Sequence, residues 1–91
     1  MNIEQKSMFK KAYKKLYPPQ KKIVNEEIKK IVADPGIGVQ KKQDLQNVFV
    51  HKFKMSDCQY LLAYMFDPET LTLIFLGVHE NYYRDLKRRL Y

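Results

Sequence analysis

Two histidines, a pair of lysines at alternate positions and a Tyr-Tyr-Arg tract are the residues of this 91-residue chain best suited to chemistry. Lys52 and Lys54 lie two apart in Val48–Met55, a segment that alternates as a strand does, so they share one face. Two ammonium groups about 7 Å apart along a strand suit a phosphodiester backbone; a solvated strand face uses the same pattern. His51 falls on the opposite face with Phe49, Phe53 and Met55, where a half-buried, hydrogen-bonded imidazole is the plainer reading. A one-residue slip or a bulge would bring it to the lysine side.

His79 follows Leu76-Gly77-Val78 at the end of an apolar run and precedes a helix-like segment. A helix N-terminus disfavours an imidazolium, so His79 there is a neutral proton acceptor, or else simply a cap. Tyr82, Tyr83 and Arg84 can stack bases and hold phosphate, or pack a last helix onto the sheet. His79-Glu80 does not begin a zinc-protease motif, because Tyr83 stands where the second His belongs. Two His and one Cys give no metal site, and Gly36 and Gly38 alone make no nucleotide loop. Asp57 and Gln59 add a weak signal at a turn.

The elements that must position these groups are legible from periodicity. Residues 2–6 read as a short edge strand. Ser7 is a suitable N-cap, and Met8, Phe9, Ala12, Tyr13, Leu16 and Tyr17 form one helical stripe opposite Lys10, Lys11, Lys14 and Lys15. Pro18-Pro19 ends that helix and starts another, striped by Ile23, Val24, Ile28, Ile31 and Val32 and stopped by Asp34-Pro35-Gly36, so the two form a helical hairpin. Residues 36–46 read as a loop. Three strands follow, at 48–55, 59–66 and 71–78, joined by turns at Ser56-Asp57 and Asp67-Pro68-Glu69-Thr70. Residues 80–90 read as a short helix with a basic end. The fold class is α+β: a helical hairpin on one face of an antiparallel sheet of three or four strands. The other face must meet the last helix, a ligand or another chain.

Composition bounds the rest. The chain is one domain with a single core, too short for a two-domain enzyme. Its 17 basic and 10 acidic residues give +7, which points to a polyanion or an acidic protein as partner, or to solubility alone. The charge is uneven: residues 1–54 carry 13 Lys and 5 acids, residues 55–83 carry no Lys or Arg, and residues 84–91 are basic again. The lone Cys58 excludes an internal disulfide, which fits a reducing cytosol, and no apolar run is long enough to span a membrane.

Several tracts together resemble the RelE/ParE superfamily of bacterial toxins: Lys30-Ile31-Val32-Ala33-Asp34-Pro35, Ile37-Gly38, Lys41-Lys42, Asp44-Leu45, Val50-His51-Lys52-Phe53-Lys54-Met55, Leu61-Leu62-Ala63-Tyr64 and, most specifically, Leu76 to Lys87. The resemblance covers essentially the whole chain. It implies the toxin of a type II toxin–antitoxin pair: an mRNA endonuclease acting in the ribosome (RelE-like), a gyrase poison (ParE-like), or a weakly toxic member that mainly binds its antitoxin and, together with it, operator DNA. A RelE-like subgroup carries Gly-Thr-His followed four residues later by an aromatic; Gly77-Val78-His79 and Tyr83 match it apart from the middle residue. The arginine common at the start of the next strand is absent, with Gln59 or Tyr60 there.

The resemblance therefore implies a metal-independent endoribonuclease without cofactor, working by 2′-hydroxyl attack. His79 would be the general base or acid, Lys52, Lys54 and Arg84 would hold the phosphate, and Tyr83 would position a base. His51, Tyr82, Lys41, Lys42, Lys87 and Arg88 would contact RNA. The expected partners are a cognate antitoxin, the ribosome and mRNA, with operator DNA bound only together with the antitoxin. The expected setting is the cytoplasm.

Overall fold

The computed structural model describes residues 2–41 and 47–78, Lys41 by its backbone alone. The chain runs β1 (Asn2–Gln5), α1 (Ser7–Lys14), α2 (Pro18–Ala33), a single 3₁₀ turn (Pro35–Ile37), β2 (Val39–Lys41), β3 (Val48–Met55), β4 (Cys58–Phe66) and β5 (Thr70–Val78). The strands form one sheet in the order β1-β5-β4-β3-β2. β2 to β5 are antiparallel, and β1 lies parallel to β5 at the far edge.

This corrects the expectation of an antiparallel sheet of three or four strands. The sheet has five strands and is mixed. β2 sits inside the segment read as a loop because three residues are too few to show alternation. The N-terminal strand cannot extend the meander as a hairpin; it leads directly into α1 and joins β5 through Asn2 N–H to Glu69 O (2.8 Å) and Lys6 N–H to Leu73 O (2.9 Å). Ser7 is not the N-cap of α1. Lys6 holds that position with no side-chain hydrogen bond, and Ser7 is the first helical residue. The expected C-terminal helix lies outside the described residues.

The helical hairpin covers one sheet face. Phe9, Val24 and Ile31 from the helices meet Phe53, Met55, Leu62, Tyr64, Leu71, Leu73 and Leu76 from the sheet. Burial of this apolar set is the main force holding the layers together, at about 25 cal/mol per Å². The expected stripes are broader than the buried ones: Tyr17 is 74% exposed, and Ile23 and Val32 lie at the margin. The other face has its own apolar centre in Val48, Val50, Leu61, Ala63, Ile74 and Phe75, against which Met8 and Met65 pack.

β5 serves both faces through a bulge. Ala63 pairs with Phe75 but Tyr64 pairs with Leu73, which leaves Ile74 as the extra residue. The bulge lets Leu71, Leu73 and Leu76 all face the helices while Ile74 and Phe75 face the opposite side. The Ser56-Asp57 turn has φ of 54° and 60°, the left-handed pair that a two-residue hairpin needs to follow strand twist. At the next turn Asp67 Oδ1 accepts from the N–H of Glu69 and of Thr70, both at 2.8 Å.

Candidate nucleic-acid interface on the sheet

The period-two alternation of β3 sorts its side chains as the sequence implies. Phe53 and Met55 are buried under the helices, Val48 and Val50 in the opposite apolar centre, and Lys52 and Lys54 are exposed on that opposite face. Lys54 stands directly across from Gln59, and Lys52 across from Leu61, which in turn pairs with Gly77. Lys52, Leu61 and Gly77 thus form one row across three strands, so Lys52 and Gly77 are about 10 Å apart at backbone level. Among the described residues no carboxylate pairs with Lys52 or Lys54. Two unpaired ammonium groups on one strand face can neutralise a phosphodiester that crosses it.

Gly77 leaves a gap in this row. A Cβ added there would stand 2.7 Å from Phe75 Cζ, so the absent side chain is what admits the Phe75 ring. β5 ends one residue later at Val78, paired with Tyr60, at the same end of the sheet as Lys54. His79, Tyr82, Tyr83, Arg84, Lys87, Arg88 and Lys42 lie outside the described residues. Lys41, on β2, pairs with Val48, four residues from Lys52, or about 13 Å along the strand. It belongs to the other end of β3.

His51 is not on the lysine face. It points to the helices, where its Nε2 lies 2.7 Å from Glu27 Oε1 and its ring stacks on Phe53 at 6.0 Å. Glu27 Oε2 also meets Lys30 Nζ at 3.0 Å. Burial pushes the Glu27 carboxyl upward, but the hydrogen bonds from His51 and Lys30 outweigh it and hold the carboxyl below its ordinary value. Glu27 is therefore an anion in the fold and the acceptor of the pair.

Sequence reasoning missed Glu27, Gln20 and Tyr64. Gln20 and Glu27 fall at the helical spacing of Val24 and Ile31, on the sheet-facing side of α2, a signal hidden by counting only apolar residues. Tyr64 is fully buried, and its hydroxyl donates to Pro35 O (2.7 Å) and accepts from Gly38 N–H (3.0 Å). It fastens the turn that leads into β2. Gly38 must be small there: an added Cβ would meet Tyr64 Oη at 2.7 Å and Val50 O at 3.0 Å.

Among the described residues no helix is long and apolar enough to cross a membrane. Three solved structures share this architecture. A free double arginine-to-alanine mutant of the E. coli toxin RelE is 18% identical, with 99% of this chain and 97% of that one covered at a TM-score of 0.74. The isolated E. coli RelE toxin is 20% identical, with 98% of each chain covered and a TM-score of 0.65. A chain of the intact E. coli RelBE toxin–antitoxin complex is 18% identical over 85% of this chain and 94% of that one, with a TM-score of 0.67. At these identities the likeness is one of fold. No curated protein matches the sequence. Residues 3–87 match the ParE-like toxin of type II bacterial toxin–antitoxin systems, and the chain belongs to that family, within the RelE/ParE superfamily.

Proposed function

We propose that this toxin is a ribosome-dependent mRNA endonuclease. The observation that carries the reading is the pair Lys52 and Lys54, exposed and, among the described residues, without a carboxylate partner, on the face and at the end of the sheet where β5 finishes, one residue before His79. Metal-independent RNA cleavage needs a base, a cationic cradle for the phosphorane and an acid for the leaving oxygen. His79 takes the 2′-hydroxyl proton or protonates the 5′-oxygen. The 2′-oxygen attacks phosphorus, the P–O5′ bond breaks, and a 2′,3′-cyclic phosphate and a 5′-hydroxyl result. Water can then open the cycle to a 3′-phosphate. Lys52, Lys54 and Arg84 hold the phosphate, and Tyr83 stacks or positions a base. Tyr82, Lys41, Lys42, Lys87 and Arg88 bind RNA outside the reacting group.

The partner is a cognate antitoxin, as in the RelBE complex whose toxin shares this fold. An acidic segment that orders on binding complements the lysine face of α1 and α2, and toxin and antitoxin together occupy operator DNA. The cytoplasm is where such a toxin meets ribosomes.

A second reading is a gyrase poison without a hydrolytic site. It is favoured by the lack of any Lys or Arg from Met55 to Tyr83, which leaves β4 and β5 without cations. Expression in cells separates the two. The nuclease produces discrete new mRNA ends by primer extension and leaves DNA intact. Gyrase–DNA adducts with unbroken mRNA would overturn the nuclease reading.

A further inference from the structure

Among the described residues, the half of β3 that carries Lys52 and Lys54 lies at an edge of the sheet. β2 pairs only with Val48–Val50, so from His51 onward β3 has β4 on one side and, among the described residues, no strand on the other. Besides packing over Phe53 and Met55, α2 is hydrogen-bonded to this half at two points. Glu27 holds His51 at 2.7 Å, and Gln20 Nε2 donates to Ser56 Oγ at 2.9 Å. Both anchors are themselves fixed: Glu27 by Lys30, and Gln20 through its Oε1, which accepts Tyr17 N–H at 2.9 Å. Gln20 and Glu27 are seven residues apart, two helical turns on one face, about 10.5 Å along α2. His51 and Ser56 are five apart, about 16 Å along the strand and its turn, and Lys52 and Lys54 stand between them.

A carboxylate–imidazole pair with each side chain only 12% exposed is a costly way to join a helix to a sheet, since apolar groups of like volume do so without desolvating charge. What such a pair supplies is direction, because its hydrogen bond fixes distance and angle where apolar packing tolerates sliding. We propose that Glu27–His51 and Gln20–Ser56 form a two-point clamp by which α2 fixes the height and orientation of the Lys52–Lys54 segment. His51 and Glu27 are positioning residues, and His51 does not contact RNA. The functional half of this inference rests on the proposal above that Lys52 and Lys54 hold the scissile phosphate.

The test compares His51→Phe, which keeps a ring against Phe53 but removes the donor, with His51→Gln, which keeps an N–H donor near the Nε2 position. Amide hydrogen exchange is followed at residues 51–55 and in β5, and kcat and KM are measured for mRNA cleavage on ribosomes. In His51→Phe, exchange at 51–55 rises about tenfold with β5 unchanged, and kcat falls about tenfold with KM within twofold; His51→Gln returns each to within about threefold of wild type. Gln20→Leu loosens the turn end of the same segment and stands in should His51→Phe fail to fold. Unchanged exchange in both His51→Phe and Gln20→Leu overturns the clamp. Equal loss of kcat in His51→Phe and His51→Gln overturns the positioning role in favour of direct contact. A wild-type protein that cleaves nothing defeats the nuclease reading alone, because the exchange data still decide the clamp.

Discussion

Tyr64→Phe removes one oxygen atom from the centre of the fold and leaves the ring packing intact against Phe49 and Phe66. Two hydrogen bonds go with it, to Pro35 O and from Gly38 N–H. Each is worth about 0.5–1.5 kcal/mol net, so the pair contributes about 1–3 kcal/mol. The lower half of that range fits best, because Pro35 and Gly38 are only half-buried and water can replace part of what is lost. In a domain of this size about 2 kcal/mol lowers Tm by roughly 8–16 °C. Urea unfolding of both proteins at neutral pH measures it, and the slope m should be unchanged. The pH dependence is a second check. Burial first, and then the nearby Asp34 carboxylate, raise the Tyr64 hydroxyl above its ordinary value of 10.0, against the opposing hydrogen bond from Gly38. A group whose folded value is raised contributes stability in full below the unfolded value and loses it as pH rises through the folded one. The gap between wild type and Tyr64→Phe should therefore narrow above about pH 10. A loss under about 0.5 kcal/mol, or a gap that widens with alkali, would refute the view that this hydroxyl fastens the turn leading into β2.

Asp57→Gly should stabilise the protein by about 0.5–1 kcal/mol, because φ of 60° costs an L-residue more than the added freedom of glycine costs the unfolded chain; thermal melts read it as a Tm a few degrees higher. Glu27→Gln should flatten the acid limb of stability: its lowered carboxyl contributes above the unfolded value of about 4.5 and loses that contribution as pH falls through the folded one, which urea midpoints between pH 3 and 7 will show. Lys52→Ala and Lys54→Ala, both exposed, should change stability by less than about 0.5 kcal/mol. If each contacts one phosphate, each should also reduce the salt slope of single-stranded RNA binding by about 0.7, measured by titration at several ionic strengths.

Much of this architecture was legible in the residues. The Pro18-Pro19 boundary, the run of β3 from Val48 to Met55 and the separation of Lys52 and Lys54 from Phe53 and Met55 follow from periodicities that local sterics impose. Other features depend on contacts distant in sequence. The parallel seat of β1 beside β5 is decided by which edge is vacant, and the Ile74 bulge by the need to serve two apolar faces. β2 is held by Tyr64, 26 residues from Gly38. The site was legible in part for the same reason. Lys52 and Lys54 could be read from their own strand, whereas the partner of His51 is a glutamate 24 residues away on another layer. An apolar-stripe count discards such a residue even though its helical position points it inward.

The proposed cleavage of mRNA, with His79 as acid or base, is open to a test on the reaction itself. The most direct measurement is single-turnover cleavage of a defined mRNA on programmed ribosomes by the purified wild-type and His79→Ala proteins. Wild type should give discrete ends bearing a 2′,3′-cyclic phosphate only when ribosomes are present, and His79→Ala should be slower by about 10²- to 10⁴-fold. An intact message with wild type would rule out the nuclease, and equal rates for the two proteins would rule out His79 as its acid or base.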